Sequence, residues 1–409
     1  MHKTTNPALR RRLTLPLVTL YGLGNILGAG VYVLIGKVAG EAGYFAPVSF
    51  LMAGIIAAIT AFSFAELSSR YPLSGGEAVY VQKAFDVKQL SLTVGLLIII
   101  TGIVSAATLT RGFLGYLQVF IVLPDWLVIL CLLALLGLIA IWGIFESVSA
   151  AALFTLIEIG GLIFILFIAA PAWEQLPQRL AQFTPGWQID QWSGIVGGAF
   201  LAFYAYVGFE DMVNVAEEVK QPQRNLPIAI LLALGLATVL YLLVAVSALL
   251  VLSPSQLSQT AAPLATLYEA VNGNKPWLIA VISLFAVVNG ALIQIIMASR
   301  VCYGLARLHW LPYFLSAVNA RTQTPVYATF LVTSLIMLAA IWLPIETLAR
   351  TTTYLLLIVS SLINLALVRI KRRQESVSDI FEVSIGIPIT GFFVSVIFLS
   401  AQTISLLLD

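Results

Sequence analysis

Long apolar stretches recur along the whole chain, and they constrain its fold more than any other feature. A helix needs about 20 apolar residues to cross the hydrocarbon core of a bilayer. Of the 409 residues, 60% are hydrophobic and only 10% are charged, against roughly 25% charged residues in a soluble domain. So few charges cannot cover a water-facing surface. The sequence therefore predicts an all-α integral membrane protein without a separate hydrophilic domain.

This rule predicts eleven spans within a single transmembrane domain that covers residues 1–409. Their approximate limits are residues 14–37, 45–69, 90–122, 125–143, 148–170, 191–217, 226–252, 276–305, 325–343, 346–368 and 380–407. Most of the 21 lysines and arginines fall on one side of the membrane when the N-terminus is placed in the cytoplasm. Lys37, Arg179, Lys275 and Arg350 fall on the other side, and Arg111 lies inside the third span. The positive-inside rule therefore predicts a cytoplasmic N-terminus and an outer C-terminus.

The first span is unusually rich in glycine. It reads TLYGLGNILGAGVYVLIG from Thr19 to Gly36. One interpretation is packing, because the step from Gly24 to Gly28 is a GxxxG pattern that lets two helices approach closely. The other is a helix interrupted near mid-membrane, whose free amides at residues 28–30 and positive dipole end suit a carboxylate.

A second irregular segment favours the interrupted helix. The sixth span reads GGAFLAFYAYVGFEDMVNVAEEVK from Gly197 to Lys220, with Gly208 in mid-span beside Glu210 and Asp211. Carboxylates are costly in lipid unless they face protein or water. Interrupted helices that open each of two five-span halves are typical of inverted-repeat secondary transporters. The predicted repeats cover residues of about 14–170 and 191–368, and an extra span covers about 380–407.

Four motifs then carry a family resemblance. They are GNILGAGVYVLIG in span one, AELSSRYPLSGGEAVYVQKAF at 65–85, FYAYVGFEDMVNVAEEVKQPQRNLPIAI at 203–230 and ASRVCYGLARLHWLP at 298–312. In this order they resemble the amino acid–polyamine–organocation (APC) transporters. The resemblance implies the leucine-transporter (LeuT) fold, a 5+5 inverted repeat with discontinuous spans 1 and 6, followed here by the eleventh span. It also implies alternating access for amino acids or related amines.

The resemblance also implies where the substrate binds. The α-carboxylate is expected at Ala29 and Gly30, and the α-amino group at the backbone carbonyls of Ile26, Tyr204 and Val207. Tyr204 matches an aromatic gate that closes over the substrate. The predicted substrate site comprises Ile26, Gly28, Ala29, Gly30, Tyr204, Ala205, Val207 and Gly208.

Glu158 is the candidate coupling residue. It lies deep in the fifth span, 12 residues from Glu146, which places it roughly 18 Å along a helix and near the midplane. Many members of the family have a lysine here, where related transporters bind sodium, so glutamate reverses the charge. We hypothesise that Glu158 carries a transported proton. A sodium ligand and a glutamate hydrogen-bonded only for structure are the alternatives.

Two further charges belong to the predicted coupling or gating set, together with Glu158 and Tyr204. Arg111 either fixes the third span through a salt bridge or meets a carboxylate in the pocket. Glu210 acts as a proton sensor or favours a cationic substrate. Asp211, Glu217 and Glu218 are expected to cap or gate the cytoplasmic end of the sixth span.

Other classes of membrane protein fit the sequence poorly. The Gly36-Lys37 pair is followed by Val38, so it lacks the Ser or Thr of a P-loop. Both histidines, His2 and His309, lie outside the predicted spans, and no HExxH-like spacing appears. ATP-driven transport by this chain alone is therefore not expected. A channel or an intramembrane enzyme is the distant alternative, and we expect no cofactor and no metal site.

The leading interpretation is a secondary active transporter, a permease or exchanger, for amino acids in the cell's inner membrane. It is expected to be proton-coupled. A polyamine or cationic amino acid carrier is the alternative. The expected partners are a small amino acid or amine and the lipid bilayer, with no nucleic acid and no obligate protein partner.

Overall fold

A computed structural model describes residues 11, 13–28, 30–73, 76–142, 148–319, 322, 324–373 and 380–408. Side chains are described for these residues except at 148–151 and 405–408. Across the described ranges the regular structure is helical, apart from one isolated bridge between Leu13 and Val219. Ala29 and Glu146, both used in the sequence interpretation, lie outside the described residues.

The α-helices are numbered in chain order. They are α1 (Leu15–Leu27), α2 (Val31–Ala42), α3 (Ala46–Arg70), α4 (Gly76–Phe85), α5 (Lys88–Leu117), α6 (Asp125–Trp142), α7 (Val148–Ala169), α8 (Leu176–Phe183), α9 (Ile189–Phe203), α10 (Pro222–Val251), α11 (Pro254–Gln259), α12 (Pro263–Asn272), α13 (Trp277–Arg307), α14 (Val326–Trp342), α15 (Ile345–Arg372) and α16 (Gly386–Leu408). Short 3₁₀ helices cover Gly43–Phe45, Ala170–Gln175, Tyr204–Tyr206, Glu210–Glu218 and Tyr313–Ser316.

Nine helical segments among the described residues are long and apolar enough to cross a membrane. Val31–Arg70, which joins α2 to α3, counts as one of them, and α1 and α14 are shorter apolar helices. The prediction of an all-α membrane protein is confirmed. The count of eleven spans stays a prediction, because the candidate spans are recognised only by their length and composition.

The first helix interruption lies between α1 and α2. The N–H of Gly28 still donates to the carbonyl of Gly24 at 3.0 Å, so helical bonding continues to that residue. A new helix then begins at Val31, and the carbonyl of Gly30 accepts the N–H of Leu34 at 2.9 Å. The glycine-rich stretch of the first span therefore separates two half-helices.

The second interruption follows α9. That helix tightens into the 3₁₀ turn Tyr204–Tyr206, and Val207 then adopts φ −54° and ψ 132°. Gly208 has φ +119°, a conformation that residues with a side chain rarely adopt. The 3₁₀ helix Glu210–Glu218 begins two residues later. The sixth apolar segment thus loses its regular helix after Phe203, and Gly208 supplies the positive φ inside the interruption.

The chain just before α1 pairs with the chain just after the second interrupted segment. The N–H of Leu13 donates to the carbonyl of Glu218 at 3.0 Å, and the N–H of Lys220 donates to the carbonyl of Leu13 at 2.8 Å. These two main-chain hydrogen bonds form the isolated parallel bridge. They join the starting end of α1 to the finishing end of the second interrupted segment.

Two ion pairs join α2 to α15. The Nζ atom of Lys37 lies 2.7 Å from Oε1 of Glu346, and the guanidinium of Arg350 pairs with Glu41. Each helix contributes one acid and one base spaced four residues apart, which places both on one helix face. We call these two pairs the α2–α15 ladder. It lies beyond the first interruption, toward the C-terminal end of α2.

Candidate functional site

The two helix interruptions touch each other directly. A Cβ atom added to Gly30 would lie 2.1 Å from the Cβ of Ala205, and one added to Gly208 would lie 2.8 Å from the Cβ of Asn25. Real side chains do not approach this closely. Each interruption therefore places a glycine against the other interrupted segment.

The structure brings the described residues of the predicted substrate site together and seals them from solvent. Ile26, Tyr204 and Ala205 are 0% exposed, and Val207 is 1% exposed. Gly28, Gly30 and Gly208 are buried as well. Only Ala29 cannot be placed, since it lies outside the described residues.

Interrupting a helix frees peptide groups, because carbonyls near a helix end lose their N–H partner four residues later. Ile26 lies in the last turn of α1, and Ala205 lies in the 3₁₀ turn after α9. At the other side of the first interruption, α2 begins with amides that have no intrahelical acceptor. The site therefore combines peptide oxygens with the positive end of a half-helix. This pairing suits a small zwitterion.

Tyr241 of α10 is a site residue that the sequence interpretation missed. Its hydroxyl lies 2.7 Å from the carbonyl oxygen of Ile26 and 2.8 Å from that of Ala205. One side chain thus contacts both interruptions. Its only sequence signal was a tyrosine inside an apolar span, where a buried hydroxyl usually has a partner.

Tyr204 is tied to α5. Its hydroxyl donates to the carbonyl of Ser105 at 3.1 Å, and the Oγ atom of Ser105 lies 3.3 Å away. These contacts fix the ring at the second interruption. The gating role implied by the family resemblance stays a prediction.

Glu158 lies beside the first interruption. Its Oε1 atom accepts a hydrogen bond from Nδ2 of Asn289 on α13 at 3.2 Å, and its backbone carbonyl accepts the hydroxyl of Tyr32 at 2.7 Å. The residue is 1% exposed, and its Oε2 atom has no hydrogen-bond partner among the described residues. One turn earlier, Thr155 packs against Gly24 of α1. An open carboxylate oxygen in this position could hold a proton or a monovalent cation.

Glu210 belongs to the second interruption. Its Oε2 atom accepts the N–H of Gly208 at 2.9 Å, so the carboxylate binds an amide that the irregular backbone frees. The Oδ2 atom of Asp211 accepts a hydrogen bond from Nε2 of Gln294 on α13 at 3.0 Å, and its role in capping or gating the end of the span stays a prediction. Glu210 and Asp211 are 5% and 3% exposed. Both predicted carboxylates therefore lie inside the helix bundle.

Arg111 is not brought to the interruptions. Its guanidinium donates to the carbonyl of Ile341 at 2.8 Å and lies 3.4 Å from Oδ2 of Asp125. It is six residues beyond Ser105 on α5, which is roughly 9 Å along the helix. These partners on α14 and α6 match the salt-bridge interpretation. A coupling or gating role for Arg111 stays a prediction.

Among the described residues, no group of three or more His, Cys, Asp or Glu side chains could hold a metal ion. What remains is a sealed, polar meeting point of two interrupted helices inside a bundle of apolar helices. This arrangement defines an integral membrane protein of the transporter class.

Comparison with known proteins identifies the family. The family model for amino acid permeases matches residues 13–406, and the chain belongs to this family. It is 26% identical to the branched-chain amino acid permease BcaP of Bacillus subtilis, over 93% of this chain and 85% of that protein. It is 30% identical to the vacuolar cationic amino acid transporter 2 of Arabidopsis thaliana, over 78% of this chain and 53% of that longer protein. It is also 32% identical to an uncharacterized transporter of Mycobacterium tuberculosis, over 79% of this chain and 72% of that protein.

These comparisons confirm the family resemblance and the prediction of an amino acid transporter. The family and its relatives are transporters rather than enzymes.

Proposed function

We propose that this chain is a secondary transporter that carries an amino acid across the inner membrane by alternating access. The observation that carries the proposal is the contact between the two interruptions, Gly30 against Ala205 and Gly208 against Asn25. It supports a leucine-transporter fold with two five-span repeats, since interrupted helices that meet near mid-membrane form the substrate site in such transporters.

The peptide groups at the interruptions match the two charged ends of an amino acid. The amides at the start of α2 are offered to the α-carboxylate, with help from the helix dipole. The carbonyl oxygens of Ile26, Tyr204 and Val207 are offered to the α-ammonium group. The side chains that contact the rest of the substrate remain to be identified by binding measurements.

Orientation follows from the lysines and arginines, with the N-terminus in the cytoplasm. The α2–α15 ladder then lies on the outer side. Its two ion pairs hold the outer half-helix α2 against α15 while the substrate site is sealed. Substrate entry from outside requires these two helices to separate.

We further propose that Glu158 couples transport to a proton gradient. Its carboxyl group is buried and accepts one hydrogen bond from Asn289, so it exchanges a proton with bulk water only in an access state that admits water. Sodium held at the open Oε2 atom is the alternative.

The test is uptake by purified protein reconstituted in liposomes. Radiolabelled L-leucine, L-alanine and L-lysine are offered with an inward proton gradient, with a sodium gradient or with neither. We expect saturable uptake of at least one amino acid, driven by the proton gradient. In Glu158→Gln, we expect exchange to persist while the proton gradient no longer drives accumulation.

A matched control is Glu269→Gln, which removes an exposed charge from α12. It should behave like the wild type. Proton-driven accumulation by Glu158→Gln would reject the coupling proposal, and absence of amino acid uptake or exchange under every condition would reject the transport proposal.

A second candidate is a carrier of cationic amino acids or polyamines. The Arabidopsis relatives are named as cationic amino acid transporters, and Glu158 and Glu210 are buried carboxyl groups near the interruptions. Competition of labelled amino acid uptake by L-arginine and putrescine distinguishes this candidate. Strong competition by both amines, with weak competition by L-leucine, would favour it.

A further inference from the structure

The hydroxyl of Tyr241 has one proton and two acceptors. It lies within hydrogen-bond distance of the carbonyl oxygens of Ile26 and Ala205, at 2.7 Å and 2.8 Å. A phenol donates a single hydrogen bond, so it satisfies only one of these carbonyls fully at a time. The single proton of Tyr241 therefore leaves acceptor capacity on one of these two peptide oxygens.

The ring of Tyr241 is held firmly in place. It is 0% exposed, and it packs against the rings of Phe50 at 5.8 Å and Tyr206 at 5.3 Å between centroids. The hydroxyl therefore cannot follow the carbonyls far, and the two oxygens are held around one fixed point. This geometry fixes the direction of both carbonyl groups and leaves each of them able to accept a further hydrogen bond.

We propose that Tyr241 is a positioning residue for the ammonium group of the substrate. Its hydroxyl gives its one proton to the carbonyl of Ala205 and leaves the carbonyl of Ile26 to the ammonium. The inference rests on the proposed transport of amino acids and adds a residue to its site. An ammonium has several N–H donors, so it supplies the bond that Tyr241 cannot make.

The test compares Tyr241→Phe with the wild type in binding assays on purified protein. The amino acid that binds the wild type most tightly among L-leucine, L-alanine and L-lysine is paired with its 2-hydroxy acid, which has a hydroxyl in place of the ammonium. Without the Tyr241 hydroxyl, the carbonyl groups of Ile26 and Ala205 are no longer held in a fixed orientation. We expect the Kd for the amino acid to rise about three- to tenfold, the effect of one neutral hydrogen bond. The Kd for the hydroxy acid should change less, so the preference for the amino acid falls.

Ser49→Ala is the matched control. Ser49 is also 0% exposed, and its hydroxyl also donates to a backbone carbonyl, that of Ile195 at 2.9 Å, but within the regular part of α9. Its loss should lower the melting temperature without changing the preference between amino acid and hydroxy acid. A purely structural role of Tyr241 would give the same result in both variants.

The amino acid-induced rise in melting temperature is the second measurement, because it reports binding even when part of a preparation is misfolded. An undiminished preference for the amino acid in Tyr241→Phe, with the wild type binding normally, overturns the inference alone. A wild type that binds no amino acid overturns the proposed function and this inference together.

Discussion

Gly30 and Ala205 are in such close contact that a methyl group on Gly30 would lie 2.2 Å from the Cα atom of Ala205 and 2.1 Å from its Cβ atom. The two residues belong to different interrupted segments, 175 positions apart in the chain. Backbone cannot yield as a flexible side chain does, so the crossing of the two segments depends on this glycine.

Gly30→Ala should therefore separate the two interruptions and abolish amino acid binding, with a loss of stability of more than about 2 kcal/mol. The measurements are ligand binding and thermal unfolding in detergent. The control is Gly160→Ala in α7, where an added Cβ meets nothing within 4 Å. It should leave binding intact and be neutral or slightly stabilising, because alanine favours a helix by roughly 1 kcal/mol. Normal binding by Gly30→Ala would contradict the close packing.

Gly208→Ala tests the second interruption. Its φ of +119° strains any residue with a side chain, and the added Cβ would also lie 2.8 Å from the backbone carbonyl carbon of Asn25. Gly273 also has a positive φ, +67°, but a Cβ atom added to it would meet nothing within 4 Å. Comparing the two glycines therefore distinguishes backbone strain from steric overlap. We expect Gly273→Ala to lose about 1 kcal/mol of stability and to transport normally. Gly208→Ala should unfold at a clearly lower temperature and lose transport, and equal effects in the two variants would indicate conformational strain alone.

The α2–α15 ladder predicts a rescue by charge exchange. The side chains of Lys37 and Glu346 are 31% and 39% exposed, so we expect their pair to contribute less than about 1 kcal/mol. Lys37→Glu places two acids together and should alter the transport rate severalfold. The double variant Lys37→Glu with Glu346→Lys should restore the wild-type rate. The single-variant defect should shrink at high salt. Failure of the double variant to recover would show that the pair does not act through its charges.

The buried carboxyl group of Glu77 should make the free energy of unfolding depend on pH. Burial, with a smaller contribution from the nearby Asp211, raises the pKa of the Glu77 carboxyl from 4.5 to about 8; Glu77 lies in α4, outside the candidate membrane spans. The folded protein then holds a proton that the unfolded chain releases above its ordinary pKa. The stabilising contribution is complete below pH 4.5 and is lost as the pH rises through about 8.

Thermal unfolding between pH 5 and 9 tests this sign. The wild type should lose more stability toward alkaline pH than Glu77→Gln, which is neutral at every pH. Glu269→Gln, at an exposed site, should keep the wild-type slope. Parallel curves for the wild type and Glu77→Gln would show that Glu77 does not titrate in this range.

The positions of the two interruptions could be predicted from the sequence, because their causes are local. Glycines such as Gly30 and Gly208 permit close approach or an unusual φ, and the carboxylates Glu210 and Asp211 are too costly for lipid. The burial of Glu158 could be predicted in the same way. These features depend on what one segment contains rather than on what surrounds it.

The partners in the site could not be predicted, because they come from distant parts of the chain. Tyr241 looks like a packing residue until α10 is placed beside both interruptions, and Asn289 gives no sign that it will meet Glu158. Asp211 was expected to cap or gate the end of its own segment, and that segment gives no sign that Gln294 of α13 donates a hydrogen bond to it. Single-segment patterns carry no information on such pairings.

The main-chain bonds of Leu13 have a mechanical consequence. The main chain of Leu13 donates to Glu218 and accepts from Lys220. The residues that precede α1 are therefore hydrogen-bonded to the residues that follow the second interrupted segment. If the bundle opens at this end, α1 and the 3₁₀ helix Glu210–Glu218 must either move together or break both hydrogen bonds. Because both bonds join peptide groups, this link does not depend on which side chains Leu13, Glu218 and Lys220 carry.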